Sequence, residues 1–90
     1  MTESALERRF VREAKLRGFV TLKLNVRGQR GWPDRLVVGP GKVVKFVELK
    51  RPNGRVDPLQ SKVHQVLRRF GIEYAIVRTE GDFEKVFGCR

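Results

Sequence analysis

The sequence predicts an α/β domain in which helices pack against one mixed, four-stranded sheet. Three observations carry that reading. Short runs rich in β-branched residues recur between turns marked by Gly and Pro. Two longer stretches carry apolar residues at helical spacing, one before the first strand and one between the third and fourth. At 90 residues the chain has room for one layered core and none for two, so residues 1–90 are expected to form a single domain.

The elements follow in order. "TESALERRFVREAKLRG" reads as an amphipathic helix, with Leu6, Phe10, Val11 and Ala14 on one face and Gly18 as its stop. Ser4 fits its N-cap, with Glu7 three residues later closing a capping box. "FVTLKLNV" alternates as a strand does, and the Gly- and Arg-rich loop "RGQRGWP" follows it. "RLVV" and "VVKFVEL" flank the tight turn "GPGK" and read as a hairpin. After the loop "KRPNGRVDP" comes the clearest helix. Asp57 fits its N-cap, Pro58 its first position and Gln60 its third, Gly71 ends it, and Leu59, Val63, Val66, Leu67 and Phe70 form its apolar face. "EYAIV" is the fourth strand, and "TEGDFEKVF" reads as a short terminal helix.

Composition narrows the function. Twenty Lys and Arg face ten Asp and Glu, a formal net charge of +10. That excess on so small a chain points to a polyanionic partner, with nucleic acid the commonest; the plain alternative is a solvated basic surface. Cys89 is the lone cysteine and His64 the lone histidine, which argues against a disulfide framework, a Cys-rich zinc site and a histidine-based triad. The polar start and the lack of a long apolar run lead to an expectation of a cytoplasmic protein without a membrane span.

Two acids stand out at the borders of the hairpin strands. Side chains alternate along a strand, so Glu48 and Lys50 project from the same face. The hairpin returns the start of its first strand to the end of its second, which places Asp34 beside Glu48 and Lys50. Two carboxylates brought together raise each other's proton affinity unless a cation lies between them. An oxygen-only donor set suits Mg²⁺ or Mn²⁺, and a neighbouring lysine can orient water or neutralise developing charge. An ordinary Asp/Glu/Lys salt-bridge cluster at the sheet edge is the other reading, because E-x-K alone is common. Glu7 falls within the apolar stripe of the first helix, where a carboxylate is costly without compensation; completing the capping box would also explain it. Arg27, Arg30 and Arg35 flank the first acid, and Lys50, Arg51 and Arg55 follow the second, as loop cations suited to DNA phosphates. Trp32 either packs the loop or stacks on a base.

"GWPD", then "VELK" 14 residues later, then the Gln of the next helix, resembles the PD-(D/E)XK nuclease superfamily, and within it the VRR-NUC family in its small standalone phage and bacterial form. The resemblance runs from Glu7 through the last strand. It implies a restriction-endonuclease-like α-β-β-β-α-β core and hydrolysis of phosphodiester bonds in DNA. It further implies that Asp34 and Glu48 bind Mg²⁺ or Mn²⁺, that Lys50 is the catalytic lysine, and that the Leu49 carbonyl is a further ligand. Glu7 would be the first-helix acid, a catalytic and metal-binding residue, and Gln60 a catalytic residue reaching the site, unless it only caps its helix with Asp57. No departure from the motif set is visible. Size, charge and this resemblance together lead to the expectation of a homodimer cutting branched DNA, a Holliday junction or a flap, in the cytoplasm of a bacterial or phage-infected cell. The segment bearing Phe83, Val86 and Phe87 would either form the dimer surface or pack on its own sheet. A non-catalytic basic nucleic-acid-binding module fits the charge but leaves Asp34 and Glu48 without a task. A nuclease directed at RNA is also open, since nothing in the sequence reads the sugar 2′-OH.

Overall fold

The computed structural model describes residues 1–88; Cys89, the lone cysteine, lies outside the described residues. Helix α1 (Glu3–Leu16) leads into strands β1 (Val20–Lys23), β2 (Arg35–Gly39) and β3 (Val43–Leu49). Helix α2 (Pro58–Arg69) crosses over to β4 (Tyr74–Val77), and a 3₁₀ turn (Glu80–Phe83) runs into the short α3 (Glu84–Phe87). The sheet order is β1-β2-β3-β4. The first two pairings are antiparallel and β3–β4 is parallel, so the sheet is mixed, as expected of an order with a helix between its last two strands.

Local chemistry explains the boundaries. The Thr2 hydroxyl accepts a hydrogen bond from the Ala5 N–H, 3.1 Å away, so Thr2 and not Ser4 is the cap of α1. Glu7 is therefore no part of a capping box. Gly18 follows α1 at φ +80° and Gly71 follows α2 at φ +70°, the left-handed conformation that only Gly adopts at little cost. The α2 box is as expected: the Gln60 N–H donates to Asp57 Oδ1 (2.9 Å) and the Asp57 N–H donates to Gln60 Oε1 (3.1 Å). Strand β1 stops at Lys23, short of the expected run, although the Leu24 N–H still donates to the Asp34 carbonyl at 2.8 Å.

The core lies on one face of the sheet. Val37, Val47, Leu49 and Val77 meet Leu6 and Phe10 of α1 and Phe83 and Val86 of the terminal segment. Phe10 is fully buried and stacks on Phe87 with 5.0 Å between centroids; truncating so buried a phenylalanine costs about 3–5 kcal/mol. Phe83 and Val86 are thus packed inside the chain's own core, the second of the two roles expected of this segment. Helix α2 covers part of the opposite face, the one that carries Phe46 and Glu48. Its inward residues are His64 and Leu67, whereas Leu59, Val66 and Phe70 of the expected apolar face stay exposed. No described helix is long and apolar enough to cross a membrane.

Candidate active site at the open end of the hairpin

The turn after β2 is a three-residue loop, Pro40, Gly41 and Lys42, with Gly41 at φ +78° and Lys42 at φ +61°. It fixes the register from Gly39↔Val43 to Arg35↔Val47. One step further, Asp34 stands across from Glu48. Asp34 Oδ2 accepts a hydrogen bond from the Leu49 N–H at 2.8 Å, which ties the start of one strand to the end of the other. The hairpin therefore brings together the two acids that are 14 positions apart in the chain.

Glu48 is 1% exposed, and among the described residues neither carboxylate oxygen has a hydrogen-bond partner. Lys50 Nζ lies 3.7 Å from Oε2, an ion pair too long for a hydrogen bond. His64 Nε2 lies 3.8 Å from Oε1 and is itself buried without a partner. Burial pushes the Glu48 carboxyl up from its usual 4.5 to about 7; Lys50 pulls against that rise, and Asp34 and Asp57 add to it. Burial, with Arg68 and Lys50 nearby, holds the His64 imidazole below its ordinary value, so it is neutral and offers no counter-charge. The ring is fixed by stacking on Tyr74, with centroids 4.4 Å apart at 15°. A buried carboxylate with two bare oxygens is a large unmet electrostatic demand.

A cleft of about 260 Å³ opens beside Asp34 and Leu49, walled by Glu3, Ser4 and Glu7 of α1 and by Lys23. The Glu48 carboxylate lies on the other side of its strand, towards α2. Glu7 reaches the cleft as the stripe reading expects, but it is compensated: Arg35 Nε and one terminal guanidinium nitrogen both lie 3.0 Å from Glu7 Oε2. Arg35 also donates to Thr21 Oγ1 at 3.0 Å. Its expected role as a phosphate contact is thereby corrected, because the guanidinium is committed inside the molecule. Arg27, Arg30, Arg51 and Arg55 are exposed on the two loops that flank the hairpin's open end. Gln60 Oε1 is held by the α2 capping box, the structural one of its two expected roles. Among the described residues, no three His, Cys, Asp or Glu side chains converge as a metal cluster.

Two residues escaped the sequence reading. His64 could have been found, since Gln60, His64 and Leu67 follow i, i+4, i+7 and share the stripe of α2 that faces Glu48. Arg78 could not. Its guanidinium donates to the carbonyls of Arg51 (3.3 Å), Pro52 (3.5 Å) and Gly54, and so pins the loop that follows Lys50. Only the tertiary fold brings those positions together.

The VRR-NUC domain model matches residues 2–81. A solved structure described as a VRR_NUC domain is similar to this chain with a TM-score of 0.84 at 30% identity, covering 92% of this chain and 90% of that one. A protein named "Putative nuclease p44", from Acyrthosiphon pisum secondary endosymbiont phage 1, is 32% identical over 78 residues, 87% of this chain and 84% of its own length. Together with the mixed sheet and its flanking helices, these matches define the class as a nuclease domain. The chain belongs to the VRR-NUC family.

Proposed function

We propose that the chain is a metal-dependent DNA endonuclease that hydrolyses phosphodiester bonds in branched DNA, with Asp34, Glu48 and Lys50 at the reacting centre. The observation that carries this reading is the Glu48 carboxylate, buried with both oxygens bare beside a second acid. Folding has no use for such a group, and a non-catalytic module would gain by replacing it. A divalent cation satisfies it. The donors fit a hard cation that keeps several waters: Mg²⁺ is typically held by one or two carboxylates together with substrate phosphate, so no third acid is needed. Asp34, Glu48 and the Leu49 carbonyl would hold Mg²⁺ or Mn²⁺, and Glu7 lines the neighbouring cleft on the α1 side of the strand. When bound, the ion supplies charge neutralisation and an acidified water.

The chain's own residues supply the rest. Lys50, 17% exposed at its side chain, keeps its ammonium next to the carboxylates and offsets the negative charge that grows on the phosphoryl oxygens during attack. Arg35 holds Glu7 in place. The capping box sets the first turn of α2, and through it the height of His64 over Glu48. Arg27, Arg30, Arg51 and Arg55 draw in the phosphates, so binding weakens steeply with salt.

His64 acts as a positioning residue for Glu48. His64→Phe keeps the stack on Tyr74 and removes the ring N–H. It is expected to weaken Mn²⁺ binding roughly tenfold by calorimetry, in the range typical of groups that orient a metal ligand, with His64→Gln restoring part of it. Equal Mn²⁺ affinity in wild type and His64→Phe would remove His64 from the account.

The working unit is a homodimer in the cytoplasm of a bacterial or phage-infected cell, and its support is a patch of exposed aliphatic side chains. Val20 pairs with Val38, which pairs with Val44; with Leu22 they form a stripe across three strands that α2 leaves uncovered. A second copy laid on it by a two-fold axis would match apolar surface to apolar surface. Val44→Lys is expected to give a monomer in sedimentation, and an unchanged mass relative to wild type counts against this face. The substrate class is tested with labelled four-way junction, flap and plain duplex in Mg²⁺, and with RNA strands of the same shapes. Cutting of junction or flap well above duplex supports the proposal; equal cutting of duplex, or preference for RNA, overturns it.

A further inference from the structure

A second concave surface lies next to the site and takes no part in the chemistry. A groove of about 350 Å³ runs between the loop before β2 and the outer side of α2. Trp32 forms one wall; Leu59, Val63 and Val66 form the other; Arg30 and Lys62 stand at its margins. No acid lines it. Leu59 and Val66 are exposed although they belong to the apolar face of α2.

The groove is built rather than incidental. The Trp32 ring packs on Phe46 at 5.9 Å, and its Nε1–H donates to Gln29 Oε1 at 2.9 Å, which fixes the indole plane. Gly31, at φ +93°, lets the loop backbone come against the first turn of α2: a Cβ there would meet the Leu59 carbonyl oxygen at 2.5 Å. Pro33, next in the chain after Trp32, is buried. The two walls are therefore held at a set separation, and Asp34 follows immediately.

Charge selects the occupant. Among the described residues, neither Arg30 nor Lys62 forms an ion pair. A second copy of a chain with net charge +10 would bring like charge to this rim. A flat apolar ring carried on a phosphate chain matches both the walls and the margins. We propose that the groove receives an unpaired nucleobase of the DNA substrate, stacked on Trp32, while Arg30 and Lys62 hold the phosphates on either side of it. A fully paired duplex has no base to offer, so the groove favours DNA with a single-stranded arm or an opened branch point. This inference rests on the proposed function for its ligand class and names the feature of the substrate that the site selects.

The test uses the full chain in EDTA, so that no strand is cut. Trp32 is the only tryptophan, and its emission reports on the groove directly. A short oligothymidylate is expected to quench it. An abasic strand of equal length, with the same phosphates, is expected to leave emission unchanged and to bind on the order of tenfold more weakly. Trp32→Leu, which keeps an apolar contact to Phe46, and Val66→Phe, which fills the groove from its exposed wall, are expected to lower oligothymidylate binding to the abasic level in anisotropy while leaving abasic binding alone. Equal affinity of wild type for the two strands overturns the inference. So does an emission change that follows protein concentration without DNA, which would assign the groove to a second copy. A chain that prefers the base-bearing strand but cuts no DNA in Mg²⁺ sinks the nuclease reading and keeps the groove; one that cuts junctions but treats both strands alike loses only the groove.

Discussion

Glu48→Gln is expected to flatten the pH dependence of stability of the metal-free protein while abolishing DNA cleavage. The folded state raises the Glu48 pKa from 4.5 to about 7, so between those values the folded chain binds more protons than the unfolded one. The contribution of this group is favourable at low pH and is lost as pH rises through that window. A rise of this size corresponds to about 3 kcal/mol, most of it gone by neutral pH. His64 has the opposite sign: its lowered pKa contributes stability at high pH that is lost as pH falls below its ordinary value. Asp82 is pulled down by the Arg78 N–H and titrates below the window. The difference between wild type and Glu48→Gln therefore isolates the carboxylate. Urea unfolding at pH 5 and pH 7 without metal should show wild type losing about 2–3 kcal/mol more than the variant across that span. Parallel behaviour of the two proteins would mean that Glu48 is not held in a charge-hostile pocket. Saturating Mg²⁺ is expected to restore wild type at pH 7 more than the variant, because Glu48→Gln removes one of the two carboxylates of the proposed ion site.

Lys50→Ala is expected to reduce cleavage by roughly 10³-fold, the usual cost of removing one charge-stabilising group from a water-poor reacting centre. Binding of the same DNA in EDTA should change little, since Arg27, Arg30, Arg51 and Arg55 remain. The variant also removes the largest influence that lowers the Glu48 pKa. Its residual activity should therefore recover in part as pH is raised and Glu48 ionises. An activity near that of wild type at neutral pH would show that Lys50 serves only as the ion-pair partner of Glu48.

Much of the fold and of the acid pair is legible in the sequence. The hairpin was readable because "GPGK" supplies a tight reversal and the flanking runs alternate, and a fixed register then forces Asp34 to face Glu48. Helix α2 was readable from Asp57, Pro58 and Gln60 at its start and Gly71 after its end. Where the reading failed, a longer-range contact had decided. Thr2 displaced Ser4 as the cap because two short side chains compete at a helix start and the sequence alone ranks them alike. Arg35 looked like a phosphate ligand until α1 brought Glu7 against it. Phe70 looked like core because helical spacing puts it near Leu67, yet α2 is set on the sheet through His64 and Leu67, and Phe70 is left 70% exposed. The bare oxygens of Glu48, on which the functional reading depends, have no sequence signature; they follow from how α2 closes over the strand.

The two facing acids are proposed to hold an ion that makes a phosphodiester cleavable. The measurement is cleavage of a labelled four-way junction by wild type and Asp34→Ala, in Mg²⁺, Mn²⁺ and EDTA, with junction binding in EDTA followed on the same preparations. Wild type should cut with either metal and be silent in EDTA, and Asp34→Ala should bind the junction and cut under no condition. Cutting by wild type in EDTA, or full activity in Asp34→Ala, would contradict it.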